Sequence, residues 1–389
     1  MKMRIFFVIW ADPKFYQTLI FLSQYLSEKN YEISIFCKKP KIEEDIIEEI
    51  NFGKNTIIRF YPLNLKFLPD FINLIGFSFY CFFKFLSHNP EKVIFFNKKS
   101  IFCLILIKIF KKINNKLIYH NFDFDDLANI KSFKEKILSK LEFFFSKFGD
   151  FLVFPSIERA NIFQSITKID KLKFFEFKNC FPKKFNPIKS NFLKEFLYRN
   201  NISDKKFLCY LGSIGPSHHL NEIIDSVKYL NNSLILIIGG TSINNYSYNL
   251  KKRIENNNLS QKIFIFESIK NSLWFEILFR SSLGLCFYEK SNLSHQYMAG
   301  TSQKFNNYLL ANVPMLVNNN EDFLNFKKKF DIFETANPSD PKNIADKINN
   351  IFDNDDRYNE LKKNLKIAFN EELNFEKQFE KSYKFFFYS

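Results

Sequence analysis

In the stretch "GTSQKFNNYLLANVPMLV", Gly300–Val317, a single lysine stands where a polar turn becomes an apolar run closed by Val313-Pro314. The pattern predicts a helix starting near Ser302, with Lys304 one turn in. A cation there opposes the helix macrodipole at a cost of roughly 0.5 kcal/mol, so it calls for an anionic partner. A diphosphate is a sufficient one, held by the open amides and hydroxyls of Gly300, Thr301 and Ser302. The competing reading is chance placement in a lysine-rich chain.

A second stretch, "YLGSIGPSHHLNEIIDSVKYL", predicts a strand ending at Leu211, then a turn through Gly212, Ser213 and Gly215. A helix follows from near Ser217, with Leu220, Ile223, Ile224 and Val227 on its apolar face. Free backbone N–H groups at the positive end of such a helix form an anion site. On this stretch alone an ordinary turn with Ser217 as N-cap is the favoured reading. Four of the five histidines (His120, His218, His219, His295) fall just beyond predicted strand ends. No carboxylate stands beside them at ligand spacing, which leaves a metal cluster unsupported; the preferred role for His218 or His219 is an N–H contact to phosphate. In the first half, the loops after the strands at Arg4, Lys92 and Lys116 carry Asp12, Asn97, Lys98, His120 and Asp123. These are the candidates for contacts to an acceptor, with a base for a hydroxyl among them, against simple solvation of the loops.

The elements that must hold these residues alternate almost from end to end. Strand-like runs begin at Arg4, Glu32, Ile57, Lys92, Lys116, Asp150 and Lys173, with helical segments between them. After the basic, proline-marked connector "NCFPKKFNP" the alternation restarts with "FLCYLG", "SLILIIGG", "KIFIF", "LGLCFY" and "VPMLV". Short apolar strands alternating with helices imply parallel sheets with crossover helices, and the restart implies a second domain. The expected division is 1–185, 186–352, and a helical tail 353–389 packing back on the first domain. The fold class is α/β, two Rossmann-like parallel-sheet domains facing across a cleft.

Composition narrows the class. At 389 residues two domains are expected. The 53 phenylalanines, beside only 9 glycines, read first as a coding bias, so single Phe and Lys residues carry little weight. The formal charge of +15 suits nucleic acid, anionic membrane or anionic small substrates alike, but no nucleic-acid-binding module is legible, and no nucleic-acid partner is expected. Six scattered cysteines without a C-x-x-C pair predict buried free thiols in a reducing compartment. The N-terminal apolar run Ile5 to Ala11 is short, lacks a cleavage-like exit and reads as a first buried strand. The segment Phe71 to Leu86 is the most apolar helix; it is shorter than the ~20 residues of a bilayer span and carries Asn73 and Lys84, so no transmembrane helix is expected. This helix and the lysine-ended "IFCLILIKIFKK" could each lie at an anionic membrane face, with core packing favoured for each taken singly.

The blocks from Phe207 to Val317 together resemble the C-terminal domain of the family 4 ("group 1") glycosyltransferases of the GT-B fold, with Lys304, Tyr308 and Pro314 in register; the first half resembles it in layout only. The resemblance implies a metal-independent transfer of a sugar from a UDP- or GDP-sugar, with retention of anomeric configuration and no separate cofactor. The second domain would hold the donor and the first a glycan or lipid-linked acceptor. Lys304 would stabilise the leaving diphosphate, Gly212 to Gly215 would lie under the phosphates, and His218 stands near where many members carry Arg. Gly300, Thr301 and Ser302 would hold sugar or phosphate through their amides. The family's two glutamates fall on Ala299 and Asn307; Asn307 keeps a weaker hold on a ribose, and Ala299 offers the sugar none. The helix-ending glycine is Asn312, a tolerable C-cap. The implied setting is bacterial surface polysaccharide or lipopolysaccharide assembly, cytoplasmic, at the inner face of the plasma membrane. "DFDD", Asp123–Asp126, contains the D-x-D of metal-dependent transferases of the other large fold; capping or acceptor contact is favoured over metal. Rival readings are a sugar-nucleotide epimerase on the same scaffold and a non-catalytic nucleotide-sugar or membrane-surface binding protein.

Overall fold

The structure, a computed structural model, describes residues 3–39, 50–63, 69–123, 130, 132–188, 190–231, 233–290 and 293–388. The chain divides into two compact units. The first takes the described residues up to Asn179 and the chain from Phe375 onward; the second takes Cys180–Asn374.

The first unit has seven strands: β1 (Arg4–Ile9), β2 (Glu32–Cys37), β3 (Thr56–Phe60), β4 (Lys92–Phe96), β5 (Lys116–His120), β6 (Phe151–Phe154) and β7 (Phe174–Glu176). They pair in the order β3-β2-β1-β4-β5-β6-β7, all parallel. Helices α1 (Gln17–Glu28), α2 (Asp70–His88), α3 (Ile101–Phe110), α4 (Phe133–Phe145) and α5 (Ile157–Thr167) make the crossovers. All five residues of β4 are buried, as in a sheet covered on both faces.

The second unit restarts with α6 (Phe192–Arg199) and β8 (Lys206–Leu211). It continues through α7 (Leu220–Ser226), β9 (Leu234–Gly240), α8 (Tyr246–Asn256), β10 (Ile263–Glu267), α9 (Asn271–Arg280) and β11 (Leu283–Cys286). Then come α10 (Leu293–Gln296), α11 (Gln303–Leu310), β12 (Met315–Asn318), α12 (Glu321–Lys329), β13 (Phe333–Ala336), α13 (Pro341–Asp353) and α14 (Asp355–Glu371). Its sheet runs β10-β9-β8-β11-β12-β13, again all parallel. In each sheet the strand order reverses once, between β1 and β4 and between β8 and β11. Such switch points, at the carboxyl ends of the strands, are where open parallel sheets leave room for ligands.

The structure differs from the sequence expectations in several places. Strand β13, "FETA", carries no apolar run; it lies at the sheet edge, and Glu334 in it pairs with Lys327 and Arg357. The change of unit comes at Cys180, not residue 186, because Cys180 and Phe181 are buried, with Phe181 against Phe275 of the second unit. Helix α14 stays with the second unit; α15 (Phe375–Lys381) and α16 (Lys384–Tyr388) belong to the first. Phe375, Phe379 and Tyr383 recur every fourth residue, one face of a helix, and meet Phe177, Tyr25 and His120. Many of the discounted phenylalanines are therefore core. Helix α2 is 19 residues long, enough with its composition to cross a membrane, where the sequence reading stopped at 16. All six cysteines are buried and none is in a disulfide.

Candidate functional site

Ser302 is the N-cap of α11, its hydroxyl accepting from the Phe305 amide, as the opening stretch predicts. Its tight placement comes from Tyr308. The Tyr308 ring lies so close over Gly284 of β11 that a Cβ there would meet ring atoms at 2.6 Å. Its hydroxyl donates to the Cys209 or Leu285 carbonyl (3.0 and 3.2 Å) and accepts from the Leu211 amide (3.3 Å). One tyrosine thus bolts α11 to both strands of the switch point, one turn after Lys304.

Lys304 points inward. It is 7% exposed, its ammonium 4.4 Å from the ring centres of both Tyr210 and Tyr288. It donates to the Tyr210 hydroxyl (3.1 Å) and lies 3.3 Å from Nδ1 of His218. Gly212 makes room for it, since a Cβ there would come 2.9 Å from Cδ of Lys304. Among the described residues no carboxylate forms an ion pair with it. Burial pulls its pKa down to about 8, the sign of a cation kept out of water with no counter-charge. His218, also buried, is pulled down to about 3 by its burial and then by the ammonium beside it. At neutral pH its Nδ1 is an acceptor for the Lys304 ammonium, which leaves the ring proton on the other nitrogen. His295 and Tyr288 complete the wall, with ring centres 5.9 and 5.6 Å from His218.

The loops show where the expectations need correction. The α-helix expected from near Ser217 starts three residues later, at Leu220: Pro216–His218 form a 3-10 turn, and His219, at φ 54°, stands between the two. Ser213 is exposed, with its carbonyl accepting from Tyr210 (2.6 Å); Gly215 is buried against Ile243. The amides of Thr301 and Ser302 are not open, because both donate to the Met298 carbonyl (3.1 Å each). Thr301 spends its hydroxyl on Tyr297 (3.0 Å), and Ser302 shares its own with Tyr288. The Gly300 carbonyl accepts from Asn306 (3.0 Å). The open donors of α11 are those of its first turn, at Gln303 and Lys304. Asn307 is fully buried, and neither end of its amide has a partner. Asn312 takes the left-handed conformation, φ 54°, that a glycine would supply.

In the first unit the structure brings Asp12, Asn97 and Asp123 to the carboxyl edge of the sheet, around Tyr16. Asp12 caps the turn after β1 by accepting from the Lys14 amide (3.0 Å), and Asn97 accepts from the amides of Lys99 and Ser100. Lys98 pairs with Glu135 (2.8 Å). Asp123 is 71% exposed and pairs with the buried Arg159 (2.9 Å); the rest of "DFDD" lies outside the described residues. His120 does not reach an open surface. It is fully buried, bonded to the Tyr383 hydroxyl (2.6 Å) and ringed by Phe96, Phe122 and Phe177. Burial lowers its pKa to about 3. A base must touch what it deprotonates, and this ring touches only the core.

The sequence reading missed Tyr210 and Tyr288 and gave His295 no role of its own, and His295 lies in α10 rather than just beyond a strand end. The usable signal for the two tyrosines was position: Tyr210 is the last residue but one of β8 and Tyr288 comes two residues after β11.

The chain matches no family model and no curated protein. Solved structures match along its length. Anabaena Alr3699/HepE, in its complex with UDP-glucose, aligns with a TM-score of 0.74 at 10% identity over 97% of both chains. WaaG, a glycosyltransferase involved in lipopolysaccharide biosynthesis, aligns at 0.64 and 10% identity over 97% of this chain and 98% of that one. A Listeria monocytogenes protein assigned as a UDP-N-acetylglucosamine 2-epimerase aligns at 0.58 and 12% identity over 93% and 91%. The fold is therefore two Rossmann-like parallel-sheet domains with structural neighbours among the GT-B glycosyltransferases.

Proposed function

We propose that the chain is a glycosyltransferase of the family 4 type, hexosyl-transferring and retaining, that uses a UDP- or GDP-sugar without a metal ion. The acceptor is a glycan or lipid-linked glycan of bacterial surface polysaccharide or lipopolysaccharide, reached from the cytoplasm at the inner face of the plasma membrane. The observation that carries this reading is the buried, carboxylate-free ammonium of Lys304 beside the β8–β11 switch point. A buried cation without a partner is costly to keep; an anion that arrives and leaves repays that cost. Departure of a nucleoside diphosphate from a sugar builds negative charge on its phosphate oxygens. A fixed ammonium and first-turn amides aimed at them lower the barrier without reorganising. Asn307 is not carried forward as a ribose contact, because its amide is as fully buried as the His120 ring. The UDP and UDP-glucose bound by HepE support this class of donor. Asp123 remains the accessible candidate for contact with the acceptor, and His120 is not carried forward.

A thermal-shift panel of UDP, GDP and their sugars tests the reading. A true donor at a hundred times its dissociation constant stabilises the protein by ~2.7 kcal/mol, and Lys304→Ala removes most of that shift. No stabilisation by any nucleotide, or an undiminished shift in the variant, overturns it. The Listeria neighbour favours one second reading, an epimerase; its product would be an isomerised nucleotide sugar without a glycosylated acceptor.

A further inference from the structure

The loops that follow β11, β12 and β13 enclose a cavity of about 470 Å³ that lies wholly within the second unit. Space of this kind opens at the carboxyl ends of parallel strands. Asn318, the last residue of β12, shapes one wall: its side chain accepts from the Tyr288 amide (2.9 Å) and donates to the Tyr288 carbonyl (2.8 Å), tying the loop after β11 to the next strand. The Asn319 amide donates to the Ala336 carbonyl (3.0 Å), and the Asn337 amide to the Asn343 side chain (2.9 Å). The loops are thus held by their backbones, and the side chains are left over. Glu289, Lys290 and Asn319 line the cavity, and among the described residues their side chains take part in no hydrogen bond or ion pair. Asn337 accepts from the Ser339 amide through its side-chain oxygen (3.1 Å), which leaves its amide nitrogen open.

The chemistry of this lining selects the ligand. One carboxylate and one ammonium cancel, so neither a phosphate nor a polyamine gains from the net charge. Apart from Pro338 and the Tyr288 ring no apolar side chain lines the cavity, which leaves nothing to hold an acyl chain or the apolar anchors of a peptide. What remains is a close set of donors and acceptors. A sugar matches it, because each hydroxyl both donates and accepts, and neighbouring hydroxyls bridge an acceptor such as Glu289 to donors such as Asn319 and Asn337. Neither Lys304 nor the first turn of α11 lines the cavity. A diphosphate held there leaves it open.

We propose that this cavity binds a neutral oligosaccharide, held on the second unit apart from the donor. The proposal rests on the reading above only for its purpose, keeping a glycan on the enzyme between transfers. Saturation-transfer NMR on the full chain tests it, with maltotriose, cellotriose, mannotriose and triacetylchitotriose as probes, first alone and then with UDP-glucose added. One or more of them should receive saturation from the protein, and UDP-glucose should leave that signal in place. Glu289→Ala with Asn319→Ala, which removes two side chains that bond to nothing in the fold, should keep the melting temperature and the nucleotide shift. It should weaken the oligosaccharide by about tenfold or more, the worth of one hydrogen bond to a charged group. Absence of transfer to every probe overturns the proposal, as does undiminished binding in the double variant. Displacement by UDP-glucose would give the cavity to the donor, and displacement by inorganic phosphate would make it an anion site; either result overturns it too. Because saturation transfer is read without nucleotide and the thermal shift without glycan, either reading can fail alone.

Discussion

The two sheets offer matching positions and use them differently. At the β1–β4 switch point Asp12 and Asn97 spend their oxygens on amides two or three residues further along the chain. At the β8–β11 switch point Lys304 has only aromatic faces, a hydroxyl and a neutral imidazole. The buried histidines differ in their surroundings: His120 is closed into a cage with Tyr383, its Nε2 left without a partner, while His218 faces the uncompensated ammonium. A polar group whose bonds are satisfied by its own loop shapes that loop. One held out of water with its charge unmatched is kept for something else.

The comparison breaks first at Lys304. Lys304→Ala should lower turnover by a hundredfold to a thousandfold, ~3 kcal/mol of transition-state stabilisation, while Asp12→Ala stays within tenfold; equal losses in steady-state assays would erase the distinction. Gly212→Val should come next, because its side chain occupies the space of the lysine stem. We expect at least a tenfold loss of nucleotide affinity by calorimetry, with the fold kept.

Titration sharpens the contrast. Lys304 loses its proton as pH rises through about 8, so nucleotide affinity should fall between pH 7 and 9, and binding near pH 8.5 should take up a proton, visible as a buffer-dependent heat. Stability moves the other way there. The unfolded lysine keeps its proton up to about 10.5, so the unfolded state binds more protons and unfolding becomes harder as pH rises from 8. Both histidines are folded neutral with pKa about 3, against an ordinary 6.5. Stability should drop as pH falls below 6.5, each contributing up to about 1.4 kcal/mol per pH unit; chemical denaturation of His120→Gln should show a shallower slope and unchanged nucleotide affinity. The smallest effect belongs to Asn97→Ala, about 1 kcal/mol of stability for a lost cap and no change in the donor-induced shift.

Much of the site was legible as a local pattern. The start of α11 at Ser302 follows from a hydroxyl before an apolar run, and the loop at Gly212 from a strand that ends in small residues. The state of the amides was not legible. Thr301 and Ser302 lose theirs to Met298, a turn whose geometry no residue type announces. His120 and His218 read alike in sequence, each beyond a strand end, and were separated by Tyr383, 263 residues away, and by Lys304, 86 away.

Alternating apolar strands and helices determined by themselves that this chain forms two parallel sheets, because those patterns act over a few residues and one crossover. Tertiary structure decided that Lys304 is wrapped by Tyr210 and Tyr288 and that His120 is sealed. Burial and pairing depend on which distant segments arrive at the same place, and no spacing along the chain encodes that.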